Sequence, residues 1–118
     1  MNAEDLRTYC LSKKNVEESF PFGEQTLVFK VSGKIFALVS IEAGDLSMNL
    51  KCDPALAIEL RETYPAVQPG YHMNKKHWNT IYLDGSIKDQ QILKWVDHSY
   101  ELVVNSLPRK MKASIHGQ

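Results

Sequence analysis

Apolar and polar residues alternate with a period of two in neighbouring segments of the chain, which predicts strands. Residues 26–32 ("TLVFKVS") and 46–51 ("LSMNLK") alternate cleanly, as half-buried strands do. Between them, residues 34–41 ("KIFALVSI") are apolar on both faces, as expected of a central strand. Turn signals at Gly33 and Gly44 separate the three segments. The pattern therefore predicts an antiparallel meander of three strands.

A helix is predicted on either side of this meander. Asn2 can cap the first helix, whose apolar stripe at helical spacing predicts an end near Asn15. Asp53 followed by Pro54 is a helix-start signal, with an N-cap acid and a proline at the first helical position. Pro65 ends this second helix.

The last part of the chain predicts one or two strands and a long third helix. Residues 78–83 ("WNTIYL") alternate, with the aromatic residues on one side and the aliphatic residues on the other. Ser86 is expected to cap the helix, with Asp89 three residues later as a short capping box. An apolar stripe then continues for about four turns until Pro108.

Short antiparallel strands with helices on one face predict an α+β domain of two layers, in the order α-β3-α-β2-α. A chain of 118 residues is long enough to bury a core without disulfides. No linker, repeat or low-complexity tract interrupts it, so we expect residues 1–118 to be a single domain.

The charges of the chain balance overall but differ between its halves. The formal net charge is zero, which argues against a strongly basic nucleic-acid binder. Residues 1–62 hold ten acids and seven bases, whereas residues 63–118 hold four acids and seven bases. This asymmetry is a reason to look for an anionic partner on the second half.

The sequence predicts a cytoplasmic protein that does not cross a membrane. The longest apolar run, residues 34–41, is far shorter than a bilayer requires. The N-terminal segment carries acids and is followed by no apolar region of a signal peptide. Cys10 and Cys52 have no companions at metal-ligand spacing, and they are expected to be reduced, buried residues.

The stretch "YHMNKKHWNT", residues 71–80, lies in a segment without any acid from Thr63 to Leu83. One interpretation is a phosphate-binding surface with stacking or hydrogen-bonding neighbours. The other is an ordinary strand entrance, in which the tryptophan anchors the core and the lysines form a solvated turn. The residues assigned to nucleic-acid binding in the first interpretation are Lys75, Lys76, His72, Asn74, His77 and Trp78.

Other segments add to these alternatives. Arg109 and Lys110 could extend the phosphate-binding surface, or they could belong to a frayed, soluble end. If Phe20 and Phe22 are exposed together, they form an apolar patch for a protein partner or a dimer. A small-ligand pocket beside Trp78, Tyr82 and His77 is a third possibility.

Enzyme motifs and metal-ligand sets are absent from the sequence. It contains no GxGxxG, GxxxxGK[ST], HExxH or GxSxG pattern, so no catalytic residue is assigned. Asp84, Ser86 and His98 could form a triad on paper, but a turn acid and a helix cap explain the first two. His72 and His77 are five residues apart and lack nearby ligands, so no metal or other cofactor is expected.

The segment "HMNKKHWNTIYLDGSI", with "WVDHSYELVVNSLP" and the opening Leu6-x-x-Tyr9-Cys10, resembles the MmcQ/YjbR family over nearly the whole chain. The resemblance implies an α-β3-α-β2-α arrangement similar to type III secretion chaperones, and a bacterial "double wing" DNA-binding protein. No catalytic residues belong to the family pattern. We therefore expect a small non-enzymatic domain that binds DNA weakly and in a salt-dependent way. The alternative is a protein- or peptide-binding adaptor that uses Phe20 and Phe22.

Overall fold

The computed structural model describes residues 1–71 and 73–115, and this part of the chain contains four helices and six strands. In chain order they are α1 (Ala3–Leu11), β1 (Val16–Ser19), β2 (Thr26–Val31), β3 (Lys34–Glu42), β4 (Asp45–Lys51), α2 (Pro54–Thr63), β5 (Val67–Pro69), β6 (Trp78–Tyr82), α3 (Asp89–Asn105) and α4 (Arg109–Ile115). The strands form one antiparallel sheet in the order β1-β2-β3-β4-β6-β5. The α+β fold class expected from the sequence is confirmed. None of the described helices is both long and apolar enough to cross a bilayer.

Strand β1 is an addition to the predicted order, and it shortens the first helix. That helix ends at Leu11, because the chain reverses through Asn15, whose φ of 59° is in the left-handed region. Only Val16 is apolar in β1, so its hydrophobic pattern carries no strand signal. Arg7 of α1 fixes the strand instead, since its Nε and an Nη donate to the Glu18 carboxylate at 2.7 and 2.6 Å.

The last helices also differ from the sequence expectation. Ser86 is not the N-cap of α3: Lys88 occupies that position and makes no side-chain cap hydrogen bond. The Ser86 hydroxyl donates instead to Asp84 at 2.6 Å, which stabilises the turn after β6. Helix α4 forms where a frayed end was an alternative, because Ile115 is buried in the main core.

The main core lies between the sheet and the helices. Helix α1 contributes Leu6 and Cys10, and α3 packs along β3 and β4. Burial raises the pKa of the Cys10 thiol to about 12, because an apolar environment disfavours the thiolate. The apolar residues of β2 and β4 that face the helices alternate with residues that face the other way. In β3 the consecutive residues Phe36 and Ala37 both belong to the main core, at the point where the register with β2 shifts.

Ser99 of α3 inserts its hydroxyl into the sheet. The last paired residues of β3 and β4 are Ala37 and Leu50, so Phe36 and Lys51 would come next in register. The Ser99 hydroxyl donates to the Phe36 carbonyl at 2.6 Å and accepts from the Lys51 N–H at 2.9 Å. A buried side chain of α3 thus replaces one strand-to-strand hydrogen bond and ties the helix to both strands.

The opposite side of the sheet, called the open face below, has no described helix packed on it. Its residues follow from the register, since directly opposite residues of paired strands share a face. One row across the sheet is Val28, Leu38, Asn49, Thr80 and Gln68. The next row towards the β3–β4 turn is Thr26, Ser40, Ser47 and Tyr82, followed by Glu42 opposite Asp45.

Candidate nucleic-acid interface

Residues 71–77, called the basic turn below, connect β5 to β6, and His72 lies outside the described residues. The backbone of the turn is hydrogen-bonded around Asn74. The Asn74 carbonyl accepts from the N–H of His77 at 3.1 Å and from that of Trp78 at 2.9 Å. The Asn74 side-chain oxygen accepts from the Lys76 N–H at 2.9 Å. Residues 74–78 therefore form a hydrogen-bonded turn.

Arg61 of α2 ties the basic turn to the helix layer. Its guanidinium donates to the carbonyl oxygens of Lys75 and Trp78, and its Nε donates to the Asn79 side-chain oxygen at 2.6 Å. Asn79 is buried, and its amide nitrogen donates in turn to the Ala57 carbonyl at 3.4 Å. Because guanidinium donors form a rigid fork, these bonds orient the turn before any ligand arrives.

Gly70 allows β5 to approach β6 closely at the start of the turn. Its N–H donates to the Trp78 carbonyl at 2.9 Å. A Cβ at this position would lie 3.0 Å from the Cβ of Trp78 and 3.1 Å from its carbonyl oxygen. A side chain at this position would therefore require the backbone of Trp78 to shift by a few tenths of an ångström.

The two lysines of the basic turn are exposed to solvent. The Lys75 ammonium lies over the ring of Tyr71, with Nζ 5.0 Å from the ring centroid, a cation–π distance. Tyr71 is itself 60% exposed. Lys75, Lys76 and Tyr71 therefore form a cationic and aromatic surface that faces solvent.

Trp78 does not offer a stacking surface, which corrects that part of the sequence expectation. Its side chain is 9% exposed and packs with Val28 and Leu38 in a small cluster on the open face. Met73 of the basic turn packs against the same cluster. Trp78 thus anchors the turn from below, and Tyr71 is the aromatic residue available to a ligand.

Asn74 and His77 both contribute to the structure of the turn. The side-chain oxygen of Asn74 accepts from the Lys76 N–H, and its amide nitrogen has no hydrogen-bond partner among the described residues, so it can donate to a phosphate. His77 is partly buried, and its carbonyl accepts from the Cys52 N–H at 2.7 Å.

Arg109 and Lys110 are not brought to the basic turn. They lie on α4, where Ser114 accepts a 3.0 Å hydrogen bond from the Asn15 amide, next to β1. β1 is one edge of the sheet, and β6 lies four strand positions away, roughly 19 Å at the usual strand spacing. The structure therefore separates these bases from Lys75 and Lys76.

Lys51 joins the basic turn, although the sequence analysis did not assign it to the site. It is directly opposite Trp78 in the pairing of β4 with β6, and so lies on the open face beside the turn. Lys30 lies at the same end of the sheet, but Glu17 is directly opposite it on β1. Only strand pairing relates residue 51 to residue 78, so no local sequence signal could have identified it.

Phe20 and Phe22 are both exposed, by 52% and 68% respectively. They lie in the segment between β1 and β2. Phe22 also lines a cavity on the open face together with Met73 of the basic turn. The exposure that the adaptor alternative requires is therefore present.

Asp84, Ser86 and His98 are not assembled into a triad. Ser86 donates to Asp84, but the Nε2 atom of His98 accepts from the Asp53 N–H at 3.2 Å, at the start of α2. The Asp84–Ser86 bond lowers the pKa of the Asp84 carboxyl, because it stabilises the ionised form. Within residues 1–71 and 73–115, no three His, Cys, Asp or Glu side chains are grouped so that they could hold a metal ion.

The segment Asp97-x-Ser99-Tyr100 forms structural contacts in the helix layer. Asp97 accepts from the Tyr9 hydroxyl at 2.7 Å and from the Lys13 ammonium at 2.6 Å. The hydrogen bond to Asp97 raises the pKa of Tyr9 to about 12. The Tyr100 hydroxyl donates to the Lys14 carbonyl at 2.7 Å. This segment therefore joins α3 to α1 and the sheet.

Comparison with known proteins gives consistent matches over most of the chain. A family model described as YjbR matches residues 11–102. The uncharacterized protein YjbR of Escherichia coli strain K12 is 38% identical over 112 residues, which is 95% of each chain. The uncharacterized protein YbdF of Escherichia coli O157:H7 is 38% identical over 107 residues, covering 91% of this chain and 88% of that protein.

Solved structures share the fold. Protein DR2400 of Deinococcus radiodurans, described with the family-model domain DUF419, superposes with a TM-score of 0.90 at 36% identity. The match covers 98% of this chain and 88% of that one. A Pseudomonas syringae protein superposes with a TM-score of 0.76 at 28% identity, over 86% of this chain and 98% of the other.

Proposed function

The chain belongs to the YjbR family, and we propose that this member is a small non-enzymatic DNA-binding protein whose basic turn contacts the phosphate backbone. The observation that carries the proposal is a pair of exposed lysines, Lys75 and Lys76, on a turn that is fixed from behind. Lys51 on the adjoining strand adds a third cation. Phosphate contacts require such cations on a surface that is held in position.

The strength of binding follows from the number of cations. Three lysines neutralise at most about three phosphates, each of which contributes roughly 0.9 to the slope of log K against log salt. The affinity is therefore weak, on the order of 10⁻⁴ to 10⁻⁶ M at physiological salt. Tyr71, which is exposed beside Lys75, can pack against a sugar or an unstacked base.

The test is fluorescence anisotropy with labelled duplex and single-stranded DNA, titrated from about 50 to about 200 mM salt. A variant with Lys75→Glu and Lys76→Glu is compared with wild type. We expect the variant to bind more weakly, with a log-log salt slope smaller by about 1.8.

The matched control is Arg109→Glu with Lys110→Glu, which makes the same change of net charge at the far edge of the sheet. We expect its salt slope to equal that of wild type. Equal losses in both variants would indicate a response to net charge alone. Unchanged affinity in a folded Lys75→Glu/Lys76→Glu variant would exclude the basic turn as the DNA site.

A second candidate function is a peptide-binding adaptor, which the joint exposure of Phe20 and Phe22 favours. Exposed phenylalanines on a small protein are typical of a binding surface. The test is an array of immobilised peptides probed with wild type and with a Phe20→Ser/Phe22→Ser variant. Peptides retained by wild type and lost by the variant would support an adaptor, whereas identical patterns would exclude these residues as its contact.

A further inference from the structure

A groove crosses the open face between the basic turn and the β3–β4 turn. It consists of two adjoining cavities of about 390 and 300 Å³, both lined by Ser40, Glu42 and Asn49. Phe22 lines one end, and Tyr82 lines the other. We call this feature the acidic groove, because the charged residues that line it, Glu42 and Asp45, are acids.

The charged residues of the groove are all acids. Among the described residues its lining includes Glu42 and Asp45, which are opposite each other at the end of β3 and β4, and no lysine or arginine. The Lys75 ammonium lies nearby, 5.0 Å from the ring centroid of the lining residue Tyr71. Both carboxylates are exposed, and neither forms an ion pair with another described residue. Two further cavities beyond Tyr82 are lined by Asp84, and no described base lines either of them. A polyanion is therefore repelled here, and a cation is attracted.

The floor of the groove is made of short polar side chains. The Thr80 hydroxyl donates to the Asn49 side-chain oxygen at 2.6 Å, and the Asn49 amide nitrogen, which has no partner among the described residues, can donate to a ligand. Ser40 and Ser47 add hydroxyls in the next row. From β2 to β6 the floor spans three strand spacings, roughly 14 Å, which matches about four residues of an extended peptide. Its donors and acceptors suit the backbone of such a peptide.

The walls of the groove are aromatic. Phe22, Tyr71 and Tyr82 line it and are 68%, 60% and 41% exposed, respectively. Tyr71 already interacts with a cation, since the Lys75 ammonium lies over its ring. Exposed ring faces beside carboxylates are the surroundings in which guanidinium and ammonium groups bind most favourably.

We infer that the acidic groove binds a short extended peptide segment that carries arginine or lysine. The inference rests on the peptide-binding candidate and deepens it by specifying its site and the chemistry of its ligand. It shares Tyr71 with the DNA-binding proposal but depends on the acids Glu42 and Asp45, which that proposal does not use. Asp45 and Lys51 are six residues apart along β4, roughly 20 Å, so the acids of the groove and Lys51 lie at opposite ends of this strand, although Tyr71 and Met73 of the basic turn line the groove. Phe22 supplies an apolar contact at the edge of the groove.

The test uses fluorescein-labelled hexapeptides with arginine at alternate positions, and the same peptides with citrulline in place of arginine. Citrulline keeps the shape of the side chain and removes its charge. We expect wild type to bind the arginine peptide at least tenfold more tightly than the citrulline peptide. A Glu42→Gln/Asp45→Asn variant should lose about fivefold to tenfold in affinity for the arginine peptide, as expected for two exposed ion pairs.

The matched control is Glu59→Gln/Glu62→Gln, which removes two exposed acids on α2, on the helix side of the sheet. We expect it to bind like wild type. Three outcomes would overturn the inference. The first is an equal loss of affinity for the arginine peptide in both variants, the second is equal binding of the arginine and citrulline peptides, and the third is no binding of the arginine peptide. If an uncharged peptide binds and the Phe20→Ser/Phe22→Ser variant abolishes that binding, an adaptor remains while the cationic ligand is excluded.

Discussion

Replacing Ser99 with alanine tests whether one buried hydroxyl links α3 to both central strands. The substitution removes a single oxygen from a fully buried residue. The Phe36 carbonyl loses its donor and the Lys51 N–H loses its acceptor. An unpaired buried backbone group costs about 1–3 kcal/mol. Because the Lys51 bond is only partly buried and water can replace it, we expect Ser99→Ala to lower the free energy of unfolding by about 2 kcal/mol.

The measurement is urea unfolding followed by circular dichroism, with a thermal scan beside it. For a chain of 118 residues, 1 kcal/mol corresponds to about 4 °C in Tm, so the variant should melt about 8 °C below wild type. The control is Ser106→Ala, because Ser106 is exposed and, within the described part of the chain, its hydroxyl bonds only to the Val103 carbonyl at the end of the same helix. We expect that control to remain within about 0.5 kcal/mol of wild type.

A loss below about 0.5 kcal/mol in Ser99→Ala, with an unchanged m-value, would refute this reasoning. It would mean that β3 and β4 can close and that Phe36 and Lys51 then pair directly. A direct hydrogen bond between the two strands would then substitute for the Ser99 hydroxyl. A loss near 2 kcal/mol would mean that the surrounding packing keeps the two strands apart at this position.

Three further predictions follow from contacts around the turn and the core. Gly70→Ala should lower the free energy of unfolding in urea by about 1–3 kcal/mol, because the added methyl meets Trp78 at 3.0 Å; an unchanged value would contradict the close approach. Arg61→Met should lower the free energy of unfolding by about 2 kcal/mol, because the side-chain oxygen of buried Asn79 loses a donor. It should also speed hydrogen exchange of the basic-turn amides, and unchanged exchange would show that Arg61 does not hold the turn in place. Raising the pH from about 9 to about 11 should reduce stability, because burial raises the pKa of Cys10 from 9.0 to about 12 and the unfolded chain ionises first. The stability of a Cys10→Ala variant should fall less steeply over this range, and equal slopes would show that another group is responsible.

The elements that the sequence predicted well are those whose signal is local. The alternation in β2 and β4 and the apolar run in β3 require only the period of a strand. The start of α2 required only an acid before a proline, and Asp53 is indeed its N-cap. Strand β1 was missed because a strand with one apolar residue depends on its partners: the ladder of β2 and the ion pair from Arg7.

The residues of the candidate site also divide into those with a local sequence signal and those without one. Lys75 and Lys76 are recognisable because they are adjacent in a segment without acids, and a turn is expected to be exposed. Arg61 and Lys51 reach the turn only through helix packing and strand register, which no local pattern encodes. The acidic groove combines residues of the β3–β4 turn with Tyr82 of β6, so its charge appears only after the sheet is assembled.

A formal net charge of zero conceals a separation of charge, and thus a local dipole, on the open face of this protein. Lys51, Lys75 and Lys76 lie at one end of the open face, and Glu42 and Asp45 lie at the other. In the field of a polyanion, such a dipole experiences a torque that turns its positive pole inwards before contact is made. The negative pole then points away from the polyanion towards the surrounding solution. Strand register therefore sets the direction of this dipole, which the isoelectric point of the chain cannot reveal.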